Sequence, residues 1–158
     1  MNNKLVVYFS ATGKTAKVAE KLTTGIDADI YEIKPEVQYT KADLNWMDKK
    51  SRSSVEMNNK SIRPAIITGD VDVSCYDTIY LGFPIWWYVA PTVINTFLEA
   101  YDFTGKKLVL FATSGGSDFG NTVAELQPSA SGAKIIEARV LSGIITDAKI
   151  KALIDLCQ

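Results

Sequence analysis

Short runs of apolar residues alternate along the chain with segments in which apolar residues recur every three or four positions. Continuous runs rich in β-branched and aromatic residues are typical of parallel strands that are covered on both faces. The first such run, LVVYF, has this composition throughout. The pattern predicts five strands, at residues 5–9, 28–33, 77–83, 107–113 and 134–141.

Apolar residues at helical spacing mark the segments between these strands. Val18, Leu22 and Ile26 share one face of a helix after the first strand. Pro91 suits the first position of another helix, because its missing N–H would have no partner there, and Phe97 follows on the inward face. Two more helices are predicted, near residues 121–126 and after the capping residue Thr146.

The segment 34–63 is polar and only weakly periodic. It carries seven Lys and Arg against four Asp and Glu, so it is locally basic. We expect a solvated crossover connection that contains a helix with Leu44, Met47 and Val55 on a weak apolar face. Trp46 is expected to anchor this connection.

Strands and helices that alternate at these lengths specify a parallel sheet with right-handed crossovers. We therefore expect an α/β fold, a doubly wound five-stranded parallel sheet with helices on both faces, in one domain over residues 1–158. Such sheets bind ligands at the carboxyl ends of their strands, near the point where strand order reverses. The loops after the first, third and fourth strands are the candidate site.

The composition excludes several classes of function. With 17 Lys and Arg against 18 Asp and Glu, the net charge of -1 provides no field that would attract nucleic acid or a membrane surface. The absence of histidine excludes a histidine-dependent catalytic triad and a histidine-ligated zinc or haem, and no metal site is predicted. Cys75 and Cys157 form no CxxC motif, and no apolar run reaches the roughly 20 residues of a membrane helix, so a cytoplasmic protein is expected.

The loop SATGKT at residues 10–15 has the composition of an anion site. Its hydroxyl groups and its glycine precede a helix, where unpaired N–H groups and the helix dipole favour negative charge, and a phosphate is the natural occupant. The GKT triplet is reminiscent of a nucleotide-binding P-loop, but that motif needs glycine where this chain has Tyr8. The alternative is an ordinary hydroxyl-capped helix.

The other two loops have the composition of a site for a flat ring. Trp86 and Trp87 are adjacent on one turn, so at least one should present its face to the crevice, where stacking stabilises a ring system. The alternative buries one ring under the sheet edge and the other against a neighbouring loop. In the loop TSGGS, Gly115 and Gly116 allow close approach of the backbone to a planar polar ligand, although such a loop by itself is only a flexible turn.

Three motifs, SxTGxT, GFPIWW and TSGGS, occur in this order, with DLNWMDKKSR in the crossover and FLEAYDFTGK before the fourth strand. Over essentially its whole length the chain resembles flavodoxin-like FMN-binding proteins. The resemblance implies the strand order 2-1-3-4-5 and FMN as the cofactor. It also implies that the phosphate is held by Ser10, Thr12, Gly13, Lys14 and Thr15, that Pro84, Ile85, Trp86 and Trp87 border the isoalloxazine ring, and that Thr113, Ser114, Gly115 and Gly116 line its pyrimidine side.

The resemblance leaves the reaction open. One interpretation is an oxidoreductase that passes electrons from a reduced nicotinamide, NAD(P)H, or a protein donor through FMN to a small acceptor such as a quinone. The alternative is a one-electron carrier between redox partner proteins, and a third is a binding module that has lost the cofactor. Carrier flavodoxins are typically more acidic than this chain, so its near-neutral charge favours the oxidoreductase. No catalytic side chain is predicted, because the flavin would perform the redox step.

Overall fold

Five parallel strands form the centre of the molecule in the computed structural model, which describes residues 3–158. The strands are β1 (Lys4–Tyr8), β2 (Asp29–Glu32), β3 (Thr78–Pro84), β4 (Lys107–Ser114) and β5 (Lys134–Ser142). They lie in the order β2-β1-β3-β4-β5, so the chain reverses direction across the sheet beside β1 and β3. This order and the parallel pairing confirm the predicted doubly wound fold.

The helices cover both faces of the sheet. They are α1 (Lys14–Ile26), α2 (Arg52–Asn58), α3 (Thr92–Ala100), α4 (Thr122–Leu126) and α5 (Asp147–Cys157). In α1 and α5, apolar residues such as Leu22 and Leu153 pack with Val6 on one face, whereas Phe97 of α3 packs with Val7 on the other. The division follows from the alternation of side chains along β1. None of the helices described between residues 3 and 158 is long and apolar enough to span a membrane.

The crossover differs from the sequence prediction. A helix does form there, α2, but it begins only after Ser51, so Leu44 and Met47 lie in turns outside it. Met47 and Val55 are 73% and 46% exposed rather than buried on an apolar face. Trp46 is also 68% exposed, so its predicted role as an anchor is wrong. The physical reason is that the buried side of α2 is largely polar, being formed by Ser53, Ser54, Glu56 and Met57.

Gly82 lies in the middle of the sheet, where β3 pairs with β1 on one side and β4 on the other. It is in register with Phe111 of β4, and a Cβ at position 82 would lie 2.3 Å from the Cζ atom of that ring. The Phe111 ring therefore occupies the space that any side chain at position 82 would need. Close packing of this kind leaves no room for an added methyl group.

Gly82→Ala should lower the free energy of unfolding by about 1–3 kcal/mol, because the buried ring has to leave its position. Urea unfolding of the cofactor-free protein, followed by circular dichroism, measures this change. Adding Phe111→Leu to the Gly82→Ala variant should recover part of the loss. Gly115→Ala is the matched control, since a Cβ there meets nothing within 4 Å. Equal midpoints for Gly82→Ala and Gly115→Ala would contradict the packing argument.

Candidate functional site

The loops that follow β1, β3 and β4 emerge side by side at the carboxyl edge of the sheet. Two hydrogen bonds join them. The hydroxyl groups of Thr15 and Thr113 lie 2.8 Å apart in the interior, and the N–H of Ile85 donates to the carbonyl of Thr113 at 2.9 Å. Pro84, the last residue of β3, is in register with the same threonine. The structure thus brings the three predicted segments together, as ends of neighbouring parallel strands.

A tight turn precedes α1 in the first loop. Gly13 has φ +96°, in the left-handed region, and a Cβ there would meet no atom within 4 Å. Glycine is favoured here by the backbone conformation and not by crowding. The N–H of Gly13 donates to the hydroxyl oxygen of Ser10 at 3.0 Å, which closes the turn.

The start of α1 supplies the donors that a phosphate needs. Since the helix begins at Lys14, the backbone N–H groups of residues 14–16 have no acceptor within it, and the positive end of its dipole lies beside them. This set of donors fits a phosphate group. The side chains of Thr12 and Lys14 are exposed, whereas Thr15 is buried and its hydroxyl group contacts Thr113. The main contact of the Thr15 side chain therefore links the start of α1 to the end of β4.

The loop after β3 contains a tight turn with unusual backbone angles. The N–H of Trp86 donates to the carbonyl of Val89 at 2.9 Å, and the N–H of Val89 donates back at 3.2 Å. Between them Trp87 and Tyr88 both lie in the left-handed region, with φ 49° and 65°. This is the arrangement of a type I′ turn, which usually takes Asn and Gly at these positions. Two bulky residues in the left-handed region impose a strain of roughly 1–2 kcal/mol each.

The loop after β4 packs directly onto this turn. Gly120 has φ +52°, and a Cβ at this position would lie 2.4 Å from the carbonyl oxygen of Tyr88. Earlier in the same loop, the hydroxyl oxygen of Ser114 accepts the N–H groups of Gly116 at 3.1 Å and Ser117 at 2.7 Å. The loop is therefore held by its own hydrogen bonds and is not the flexible turn that its glycines alone would suggest.

The two adjacent tryptophans have different environments. Trp86 makes edge-to-face contacts with Phe9 and Tyr39, with ring centroids 6.0 Å and 5.5 Å away, which fixes its ring. Trp87 is 45% exposed and Tyr88 is 62% exposed. Trp86 is thus the supported ring, while Trp87 and Tyr88 leave large apolar surfaces uncovered.

A partly buried polar network lies behind Trp86. Tyr39 donates its hydroxyl proton to Glu56 at 2.5 Å, and the Nε atom of Arg52 lies 2.9 Å from the other carboxylate oxygen. The guanidinium of Arg52 also stacks over the Tyr39 ring, with 3.8 Å between its Cζ and the ring centroid. Burial, followed by the hydrogen bond to Glu56, raises the pKa of Tyr39, so this hydroxyl group stays protonated and continues to donate. The network therefore fixes the position of α2 relative to Trp86.

A cleft of about 620 Å³ opens between these loops and the crossover, within the usual size range of ligand pockets. Six predicted residues line it, namely Ile85, Trp86, Trp87, Ser114, Gly115 and Gly116. A Cβ on either glycine would meet nothing within 4 Å, so the space beside them is open to a ligand. The described lining contains no charged side chain.

The other predicted residues lie outside the cleft lining. Pro84 and Thr113 are at the strand ends behind it, and Ser10 lines a separate hollow of about 170 Å³ beside β2. Five residues that were not predicted as site residues also line the cleft, namely Leu44, Trp46, Ser53, Tyr88 and Ser117. Tyr88 and Ser117 directly follow motif residues and could have been included. A signal for the crossover residues was an isolated tryptophan in a polar segment.

The comparisons with known proteins agree with this architecture. A sequence model of the flavodoxin family matches residues 3–157. The chain belongs to the flavodoxin family. Among curated proteins, none matches this flavodoxin sequence significantly.

Three solved structures show how similar other flavoproteins are to this flavodoxin chain. A candidate flavoprotein from Bacteroides eggerthii is 45% identical with a TM-score of 0.87, covering 99% of this chain and 98% of the other. One from Bacteroides uniformis is 47% identical with a TM-score of 0.89, covering 98% of each chain. A Lactobacillus acidophilus flavoprotein in complex with FMN is 25% identical with a TM-score of 0.68, covering 89% of this chain and 93% of the other.

The strain in the turn after β3 can be measured. Replacing Trp87 with Asn and Tyr88 with Gly should raise the free energy of unfolding of the cofactor-free protein by a net amount of about 1–2 kcal/mol. These residues suit a type I′ turn, while the greater freedom of glycine in the unfolded chain offsets part of the relieved strain. Urea unfolding measures the change. A control with Phe at both positions keeps the bulky residues and should show no such gain. An Asn-Gly variant no more stable than the Phe-Phe variant would mean that the turn is not strained.

Proposed function

We propose that this flavodoxin-family protein binds FMN along the carboxyl edge of its sheet and passes electrons from a reduced nicotinamide to a small planar acceptor such as a quinone. The observation that carries the proposal is the cleft of about 620 Å³, lined by aromatic rings and by glycine-rich backbone, next to a loop of phosphate-binding composition. The cleft and the loop match the two chemical halves of the cofactor.

FMN is supported as the cofactor by family membership and by the FMN complex of the Lactobacillus acidophilus relative. The residues of this chain fit it. The backbone donors at the start of α1, with Ser10, Thr12 and Gly13 ahead of them, would hold the phosphate. Ile85 and Trp86 would border the ring on one side, and the backbone of Gly115 and Gly116 would approach it on the other.

Bound FMN would supply the redox chemistry, since the flavin ring accepts and releases electrons singly or in pairs. The chain's own groups bind and orient. Trp86, held by Phe9 and Tyr39, gives one wall a fixed position. Trp87 and Tyr88 would shield the ring from water while leaving a route for a second flat molecule, because both rings are partly exposed.

Charge around the cleft favours an enzyme over a charge-steered electron carrier. A carrier that docks to a protein partner relies on a surface of one sign, but this chain has a net charge of -1 and the described cleft lining is uncharged. An uncharged apolar cleft suits a neutral planar acceptor. Next to it, a hollow of about 440 Å³ is lined by Trp46, Lys49 and Trp87 among others. The Lys49 cation would recognise a phosphate group of the nicotinamide dinucleotide.

Thr12→Glu tests the phosphate site. A carboxylate at this position should repel the FMN phosphate and weaken binding at least tenfold, while the helix dipole makes the same carboxylate neutral or favourable for the stability of the cofactor-free protein. Quenching of FMN fluorescence measures the affinity. Thr24→Glu adds the same charge near the other end of α1 and is the matched control. Equal FMN affinities for the two variants would refute this placement of the phosphate.

Stopped-flow mixing of the anaerobic FMN-loaded protein with NADH and with NADPH tests the reaction. We expect the flavin absorbance to bleach on a catalytic timescale with at least one of the two, and to return when a quinone is added. Loss of bleaching on that timescale with both nucleotides would refute the enzyme and leave the electron carrier. A protein that binds FMN but is not bleached would support FMN as the cofactor and refute the proposed reaction.

A further inference from the structure

Ser53 lies on the crossover side of the cleft. Ser53 lines the cleft and is only 2% exposed, and its Oγ atom has no hydrogen-bond partner among the described residues. Buried polar atoms without partners are rare in native proteins, because burial removes a hydrogen bond to water without replacing it. A ligand in the cleft would supply the missing partner.

The neighbouring polar groups of α2 are all paired. The hydroxyl groups of Ser51 and Ser54 are hydrogen-bonded to each other at 2.9 Å. The carboxylate of Glu56 is shared between Tyr39 and Arg52. Ser53 therefore differs from its neighbours on the same buried side of the helix.

Hydrogen bonds hold the backbone of Ser53 in place. The N–H of Ser53 donates to the carbonyl of Asp43 at 2.9 Å, so the start of α2 is tied to the loop before it. The Asp43 N–H and the Thr40 hydroxyl oxygen are 3.1 Å apart, while the Thr40 N–H donates to the Asp43 carboxylate at 2.9 Å. One turn later, Glu56 ties α2 to Tyr39 and through it to Trp86. The backbone of Ser53 is thus held by hydrogen-bonded structure on both sides.

The rest of the crossover wall is apolar. Leu44 and Trp46 line the same cleft as Ser53. Their apolar side chains differ from the polar backbone that the glycine-rich loop after β4 presents. A flat ring with polar atoms at its margin needs this combination of apolar surface and a single placed hydrogen-bonding group. The segment 44–53 therefore has the chemistry of a third wall for the ring.

We propose that the hydroxyl group of Ser53 hydrogen-bonds to the part of FMN that lies outside the phosphate, and that the crossover segment 44–53 is a third wall of the flavin site. This inference rests on the proposed binding of FMN. It gives the crossover, which carries neither the phosphate loop nor the tryptophan pair, a direct role in cofactor recognition. Ser53 is a binding residue in this proposal, and the electron transfer itself needs nothing from it.

Ser53→Ala and Ser54→Ala form a matched pair for the test. The two serines are adjacent, equally buried at 2% exposure, and on the same helix. Ser53→Ala should weaken FMN about tenfold by fluorescence quenching, since a net hydrogen bond is lost. The thermal midpoint of the cofactor-free Ser53→Ala protein should be unchanged or higher, because an unpaired buried hydroxyl group has been removed. Ser54→Ala should show the reverse, with a lower midpoint and an FMN affinity within about twofold of the original protein.

Binding of riboflavin distinguishes contacts to the ring end of FMN from contacts to its phosphate end. Because riboflavin lacks the phosphate, Ser53→Ala should weaken riboflavin and FMN by the same factor, whereas Thr12→Glu should weaken FMN alone. A Ser53→Ala variant that binds FMN with unchanged affinity would overturn the inference, as would a cofactor-free Ser53→Ala protein destabilised as much as Ser54→Ala. If the unaltered protein binds neither flavin, the proposed function itself has failed, which is a separate result.

Discussion

Tyr8, Gly82 and Phe111 lie side by side in three neighbouring parallel strands, and this row sets the geometry of the candidate site. Because position 82 has no side chain, the Phe111 ring can lie across β3. Beyond the row, the hydrogen bond between Thr113 and Thr15 joins β4 to the start of α1. Three separate parts of the sequence therefore meet in the site just beyond this close contact in the sheet.

The central fold could be predicted because its signals are local. The run LVVYF and the helical spacing of Val18 and Leu22 need no knowledge of distant residues. The structure confirms the strand order implied by the family resemblance, and each strand end lies within one residue of its predicted position. The glycine-rich and aromatic loops were equally visible, since they directly follow strongly apolar strands.

The crossover could not be predicted in the same way, because its folding depends on distant pairs. Glu56 is 6% exposed, which sequence patterns alone would not suggest for a carboxylate, and its burial requires Tyr39 and Arg52 to be in place. For the same reason Trp46, predicted to anchor the crossover, and Met47, predicted on a weak apolar face, are both exposed. Polar residues can form the buried side of a helix only where partners satisfy them, and those partners are not apparent from periodicity.

The hydroxyl pair of Thr15 and Thr113 lies between the phosphate loop and the ring cleft, and it can donate few hydrogen bonds. Each threonine has one hydroxyl proton, and one of the two protons is used between them. The pair can therefore donate only one further hydrogen bond, although it retains lone pairs that can accept. Because both threonines are buried, the remaining proton is available only to a partner that reaches the interior between the phosphate loop and the ring cleft.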